Sequence, residues 1–256
     1  MMAPKEPRLS SGVEGLDAML GGGFLPGSSV LLAGAPGTGK TTLGLHFLAA
    51  GVAAGEKGVF VTFEYLPQQL YHDALQHGWD VQSWEEKGLV RVICTTPDVL
   101  LAETGPGRTI LDDAMASLGA SRLVIDSMSH FEFLRRPAEQ LRQDLSGLMN
   151  HLRLLDVTTM VTHEIPEIVG PAVKISQYGL EFLVDAVIVL RYVELEGELQ
   201  KAINVLKFRG SDHDRHYRRL RLGTKGVSVE STFTGIENIS SGTAHRSLQT
   251  RARELV

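Results

Sequence analysis

Short apolar runs alternate with longer stretches of helical periodicity through the first two-thirds of the chain. Ser29-Val-Leu-Leu-Ala33 reads as a buried strand, and Leu43 to Ala54 as an apolar helix stopped by Gly55. Val59-Phe-Val-Thr-Phe-Glu64 is a second strand, rich in β-branched and aromatic residues. Pro67 starts a helix that runs to about His77, with Gly78 as its stop, and Leu89 to Thr95 is a third strand candidate. Ile110, Leu111, Ala114, Met115 and Leu118 share one helical face that Gly119 closes. Leu123-Val-Ile-Asp126 is the next strand. Pro137 then opens a long helix whose Leu141, Leu145, Leu148, Met149, Leu152 and Leu155 form one stripe, read as core packing against a sheet. Thr158 to Thr162 is another strand, ending at His163-Glu164. Strands alternating with helices predict an α/β fold: a mainly parallel central sheet with helices on both faces.

The pattern changes after Val184, where strand follows strand with short connections. Asp185 to Val193 and Leu199 to Phe208 flank Glu194-Leu-Glu-Gly197, a hairpin signal, and Tyr217 to Leu222 and Val227 to Glu230 follow. This predicts an antiparallel C-terminal extension of the same sheet rather than a second domain. The organisation expected is a flexible arm over residues 1–10, one domain over 11–241, and a solvated polar tail over 242–256 carrying Arg246, Arg251 and Arg253.

Bulk properties narrow the function classes. With 256 residues, 43% apolar and 21% charged, the chain suits one large core. A formal charge of −5 gives no broad attraction to nucleic acid. Cys94 is the sole cysteine, so no internal disulfide can form; it is expected as a small buried side chain, in a reducing, cytoplasmic setting. Met1 to Ser11 has no apolar signal core, and Phe182 to Leu190 is too short to span a bilayer and contains Asp185.

The candidate chemistry centres on Gly34-Ala-Pro-Gly-Thr-Gly-Lys-Thr41, which fits the phosphate-loop pattern G-x-x-x-x-G-K-[ST] between a strand and a helix. Its glycines let backbone N–H groups turn toward an anion, and the helix adds the positive end of its dipole. Lys40 would reach the β- and γ-phosphates of a nucleotide, and the Thr41 hydroxyl would ligate Mg²⁺. Asp126 closes an apolar strand at the sheet edge where ligands bind in open α/β folds, which makes it the candidate acid beside the metal. Glu64 ends a strand at the same edge and could accept a proton from water. Lys207 and Arg209 share one strand face, with Phe208 on the other, and could clamp a polyphosphate, including one held by a neighbouring subunit; a solvated charged face is the alternative. Ser211 to His216 carries two His and two Asp but reads as a polar loop rather than a zinc site.

With these positions in place, the chain resembles the KaiC family of RecA-like P-loop ATPases, as a single-domain member, from about Ser11 to Ser241. The resemblance rests on Gly12-Val-Glu-Gly-Leu-Asp17 with Gly22-Gly23, the Gly34–Thr41 loop, Val61-Thr-Phe-Glu64, His77-Gly-Trp-Asp80, Ile125-Asp-Ser127 and Lys207-Phe-Arg-Gly-Ser-Asp-His213. Tyr192-Val-Glu to Ala202-Ile-Asn-Val205 looks particularly like the second ATPase domain of the two-domain clock protein. It implies a ring-shaped homohexamer with ATP and Mg²⁺ between subunits. Gly37, Thr38, Gly39, Lys40, Thr41 and Thr42 would hold the phosphates, with Thr41, Asp126 and Glu64 around the metal. Glu64 would match the catalytic glutamate and Asp126 the Walker B aspartate. Lys207 and Arg209 would reach the neighbour's γ-phosphate, with Phe208 between them and Ser211 and His213 near its base or ribose.

Two departures qualify what is carried over. Glu64-Tyr65 stands where the family usually has a Glu-Glu pair, which implies slow hydrolysis. Glu181 and Phe182 stand at the clock protein's autophosphorylated Ser-Thr pair, so phosphorylation there is expected to be absent. The reading is an ATP-binding, slowly hydrolysing ATPase with a regulatory role. One rival is a DNA-dependent recombinase or helicase relative, disfavoured because Glu164 to Gly179 carries only Lys174 as a cation against Glu164 and Glu167. A nucleotide-gated scaffold with negligible turnover and an autokinase are the others.

Overall fold

The computed structural model describes residues 7–102, 109–170, 175–234, 236–241 and 243–246. Helix α1 (Glu14–Met19) leads into strand β1 (Ser29–Gly34), helix α2 (Lys40–Ala53) and strand β2 (Gly58–Thr62). Helices α3 (Pro67–Leu75) and α4 (Val81–Glu86) precede β3 (Val90–Cys94), and α5 (Pro97–Ala102) and α6 (Ile110–Leu118) precede β4 (Arg122–Asp126). A 3-10 segment, Met128–Phe133, joins β4 to α7 (Ala138–Leu154) and β5 (Thr158–Glu164). The rest is α8 (Leu180–Leu183), β6 (Ala186–Leu195), β7 (Glu198–Phe208), β8 (Arg218–Gly223), β9 (Gly226–Thr232), β10 (Ile236–Glu237) and β11 (Thr243–Arg246).

The main sheet runs β3-β2-β4-β5-β1-β6-β7-β8-β9. Pairing is parallel from β3 through β6 and antiparallel from β6 to β9. Every residue of β1, β2 and β4 is buried, which is why these strands read as continuous apolar runs rather than alternating ones. Leu43, Phe47, Phe60, Val124 and Met160 belong to the core on one face, and Leu123, Ile125, Leu145, Leu148 and Val161 to the core on the other. The α7 stripe Leu141, Leu145, Leu148, Met149 and Leu152 is buried as its periodicity predicts. The hairpin turns at Glu196 and Gly197, both at positive φ, the backbone a two-residue loop of matching twist requires. The extension then curls back over the first core: Val227 N–H donates to His46 Nε2 at 2.7 Å.

Several sequence expectations change. Cys94 is exposed rather than buried, because β3 is the outermost strand; there the Glu85 carboxylate accepts the Val92 N–H at 3.0 Å and covers part of the open edge. Residues 8–10, expected within a loose arm, are tied down. Leu9 and Phe24 exchange backbone hydrogen bonds of 2.9 and 2.8 Å, and Ser10 Oγ donates to Asp17 at 2.5 Å. Thr243–Arg246, expected in a solvated tail, forms β11, antiparallel to β10 and parallel to the end of β6. Residues 1–6, Lys174, Arg251 and Arg253 lie outside the described residues. Among the described residues no helix is long and apolar enough to cross a membrane.

Candidate nucleotide site

The carboxyl ends of β1, β2, β4 and β5 open onto one cleft of about 360 Å³. Its wall includes Gly37, Gly39, Lys40, Thr41, Thr42, Glu64, Tyr65, Asp126, Ser127, His130, Glu164 and Leu222. The loop between β1 and α2 is shaped by close approach. A Cβ on Gly34 would sit 2.5 Å from the Leu190 carbonyl oxygen, and Gly39 turns at φ 104° with Leu222 carbons 3.1 Å from where its Cβ would be. Thr38 is buried and spends its hydroxyl on Ala35 O at 2.7 Å, so it holds the loop's shape.

Lys40 is only 7% exposed; its ammonium donates to Gly34 O at 3.0 Å and Ala35 O at 3.1 Å and lies 3.6 Å from the Glu164 carboxylate. Burial pulls its pKa down, while Glu164 and Asp126 pull it back up. The Thr41 hydroxyl donates to Asp126 Oδ2 at 2.7 Å, and the buried Thr162 hydroxyl donates to Asp126 Oδ1. Two of the three metal candidates therefore touch, although they are 85 residues apart in the chain. A hydroxyl and a carboxylate side by side beneath a phosphate loop form the hard-oxygen donor set that Mg²⁺ takes, so these residues fit Mg·ATP.

Glu64 lies two residues past β2 rather than in it. Its carboxylate is 3.7 Å from His130 Nε2, and it lines the same cleft as Thr41 and Asp126 without joining their hydrogen-bonded pair. Tyr65 also lines the cleft, and burial, then Glu64, push its phenol up, so it stays neutral.

Lys207 and Arg209 are not in this cleft. Lys207 Nζ donates to Glu181 O at 2.7 Å and Val184 O at 2.6 Å, and Arg209 donates to Phe182 O at 3.2 Å. Burial, then Arg209, lowers the Lys207 pKa. Both cations sit at the amino end of β6: Arg209 N–H bonds Asp185 O, whereas the phosphate-loop end of the sheet is at Leu190, paired with Gly34. Five residues of strand separate these ends, about 16 Å. Phe208 is 5% exposed in the core, so its side chain cannot stack on a ligand. Ser211 Oγ accepts from Arg8 at 2.8 Å, and His213 Nδ1 is buried with no partner among the described residues.

Sequence reasoning missed Glu164 and His130 as cleft residues and Thr162 as the buried donor to Asp126. Each follows a strand or ends one, yet each joins the site only through β5 pairing with β4 and β1, and β4 with β2, contacts that chain order does not reveal. The one available signal was position, since all three fall at or just beyond the carboxyl end of a predicted strand.

A phosphate loop after the first strand, a carboxylate at the end of β4 bonded to the loop's threonine, and a parallel sheet with an antiparallel extension define a RecA-like P-loop NTPase. The "ATPase: KaiC" family model matches residues 9–232, and the chain belongs to the KaiC family. It is 34% identical over 241 residues to the circadian clock oscillator protein KaiC of Parathermosynechococcus lividus, covering 93% of this chain and 43% of that protein. It is 32% identical over 248 residues to the circadian clock protein KaiC3 of a Synechocystis species, covering 97% and 48%. The chain thus spans about half the length of these curated relatives. A crystal structure of a KaiC-like protein from the archaeon Pyrococcus horikoshii superposes with a TM-score of 0.79 at 32% identity, covering 89% of this chain and all of that one.

Proposed function

We propose that the protein binds Mg·ATP in this cleft and hydrolyses it slowly at a site completed by a neighbouring copy. The copies form a closed ring, a homohexamer by family resemblance, whose nucleotide state serves a regulatory role in the cytoplasm. The observation that carries the reading is the division of labour across the sheet. The phosphate loop, Lys40 and the Thr41–Asp126 pair lie level with Leu190, midway along β6, while Lys207 and Arg209 are held ready on three backbone carbonyls at its amino end. Two cations fixed away from their own loop suit the phosphate of another copy.

Loop N–H groups and Lys40 would bind the β- and γ-phosphates, and Lys40 would exchange its carbonyl and Glu164 contacts for phosphate oxygens. Thr41 and Asp126 would hold Mg²⁺, which supplies charge neutralisation on those oxygens when bound. Glu64 would orient water and accept its proton. Lys207 and Arg209 of the adjacent copy would stabilise the developing charge. Ser211 and His213, on the loop that follows, would approach that copy's base or ribose.

The test compares solution mass and ATP turnover with and without Mg·ATP in wild type, Lys40→Ala and Glu64→Gln. The reading expects assembly with nucleotide, no binding in Lys40→Ala, and binding without turnover in Glu64→Gln. A protein that stays monomeric at saturating Mg·ATP, or a Glu64→Gln variant with full turnover, overturns it. Tyr65 beside Glu64 supports a second reading, a nucleotide-gated scaffold with negligible turnover, which product release measured over hours distinguishes.

A further inference from the structure

Glu64 has an incomplete environment for a base that must aim at one water. Its side chain is 60% exposed, and the polar group recorded against its carboxylate is His130 Nε2, 3.7 Å from Oε2. The histidine is much better fixed than the glutamate. Its backbone N–H donates to Ser127 O at 3.2 Å, and its ring lies between Phe63 and Phe133, each with its centroid 6.0 Å away. Phe63 also packs edge-on against the fully buried Phe131 at 5.4 Å. Phe63 immediately precedes Glu64, so one aromatic cluster locates both the histidine ring and the glutamate backbone. Below it, β2 and β4 are in register, Thr62 opposite Asp126, and Thr62 Oγ1 accepts the N–H groups of Glu64 and Tyr65 at 3.3 and 3.1 Å.

We propose that His130 is a positioning residue for Glu64: its Nε2–H holds carboxylate oxygen Oε2, leaving Oε1 to take the proton of the attacking water. The inference rests on the assignment of Glu64 as the base. The gap of 3.7 Å closes to a hydrogen bond by rotation of the exposed glutamate, in line with the tightening of catalytic contacts when substrate binds. A glutamate otherwise free about three torsions loses most of that freedom when one oxygen is held. His130 stays a step removed from the phosphates, so its effect belongs in turnover and not in nucleotide affinity.

The decisive variant is His130→Phe, which keeps an aromatic ring between Phe63 and Phe133 and removes the donor; His130→Met serves if the first does not fold. The expected result is a kcat lower by about tenfold, roughly 1.4 kcal/mol in barrier, with KM for ATP and the affinity for a fluorescent ATP analogue within about twofold of wild type. His130→Gln, whose amide nitrogen can occupy the Nε2 position, should recover kcat to within about threefold. Unchanged kcat in His130→Phe, a matching rise in KM, or a Gln variant no better than Phe would each overturn the proposal. Turnover that needs Glu64 but not His130 overturns this inference alone, whereas wild type without Glu64-dependent turnover overturns the hydrolytic reading and this inference with it.

Discussion

Replacing Lys207 or Arg209 with alanine separates a shared site from a self-contained one by magnitude. Arg209 is anchored about 16 Å of strand from the loop end of its own protomer. A unit charge at that distance interacts with a phosphate charge by about 1 kcal/mol at an effective dielectric of 20, and by a fraction of that once 0.15 M salt screens over roughly 8 Å. Acting only within its own copy, Arg209 would therefore alter turnover by less than about fivefold. In contact with the transferring phosphoryl group of a neighbour it belongs with arginine fingers, where removal lowers kcat by about 10³-fold or more. The assay is steady-state phosphate release by Arg209→Ala and by the Lys207→Ala/Arg209→Ala pair, at protein concentrations where wild type is assembled. A mixing arm adds the decisive control: Lys40→Ala protomers lack the receiving half, and the cation-free variant lacks the giving half. Coassembly creates interfaces intact on both sides, so inactive samples should regain turnover when combined. A loss below about fivefold, with no recovery on mixing, would refute the shared-site reasoning.

Three further outcomes follow from particular contacts. Thr162→Val removes the buried donor to Asp126 Oδ1 without changing side-chain volume, and should weaken the Mg²⁺ dependence of ATP turnover and destabilise the fold by about 1–3 kcal/mol, read by Mg²⁺ titration and urea denaturation. Phe208→Ala should cost about 3 kcal/mol or more of stability yet leave nucleotide affinity unchanged under native conditions, since the ring is core; a selective loss of affinity in a stably folded variant would contradict this. Burial, then His77, depresses His46 from 6.5 to about 4, and its ring accepts the Val227 N–H. A depressed folded pKa gives stability that is complete above 6.5 and lost as pH falls toward 4. Wild type should therefore lose about 2 kcal/mol more than His46→Gln between pH 7.5 and pH 5, and parallel urea-midpoint curves for the two would contradict it.

The central strands were legible because strands buried on both faces are mainly apolar, and the loop was legible because its chemistry is contiguous from Gly34 to Thr41. Asp126 could be placed by topology alone, since parallel α/β sheets put strand ends at one edge. Residues whose role depends on a lateral neighbour were hidden. Glu164 meets Lys40 and Thr162 meets Asp126 only because β5 lies between β1 and β4. Cys94 looked buried because its strand is apolar, and only the strand order shows that β3 is the outermost strand among the described residues. The alternation rule placed Lys207 and Arg209 on one face correctly but said nothing about the carbonyls of 181, 182 and 184 that hold them.

The β6–β7 ladder has a mechanical corollary. It is a continuous antiparallel ribbon from Ala186 opposite Phe208 to Leu195 opposite Glu198, interrupted by one bulge beside Val187. Under the shared arrangement two points along it meet different nucleotides: Leu190, midway along β6, abuts the loop of its own copy, and Lys207 and Arg209, at the Ala186 end, would face the next. A ribbon stiff enough to tilt as a unit behaves as a lever, with one load at its Ala186 end and another at its middle. A rocking at one triphosphate would be felt at the adjoining one without any change in the cores between them, and neighbouring sites would then fire in sequence rather than independently.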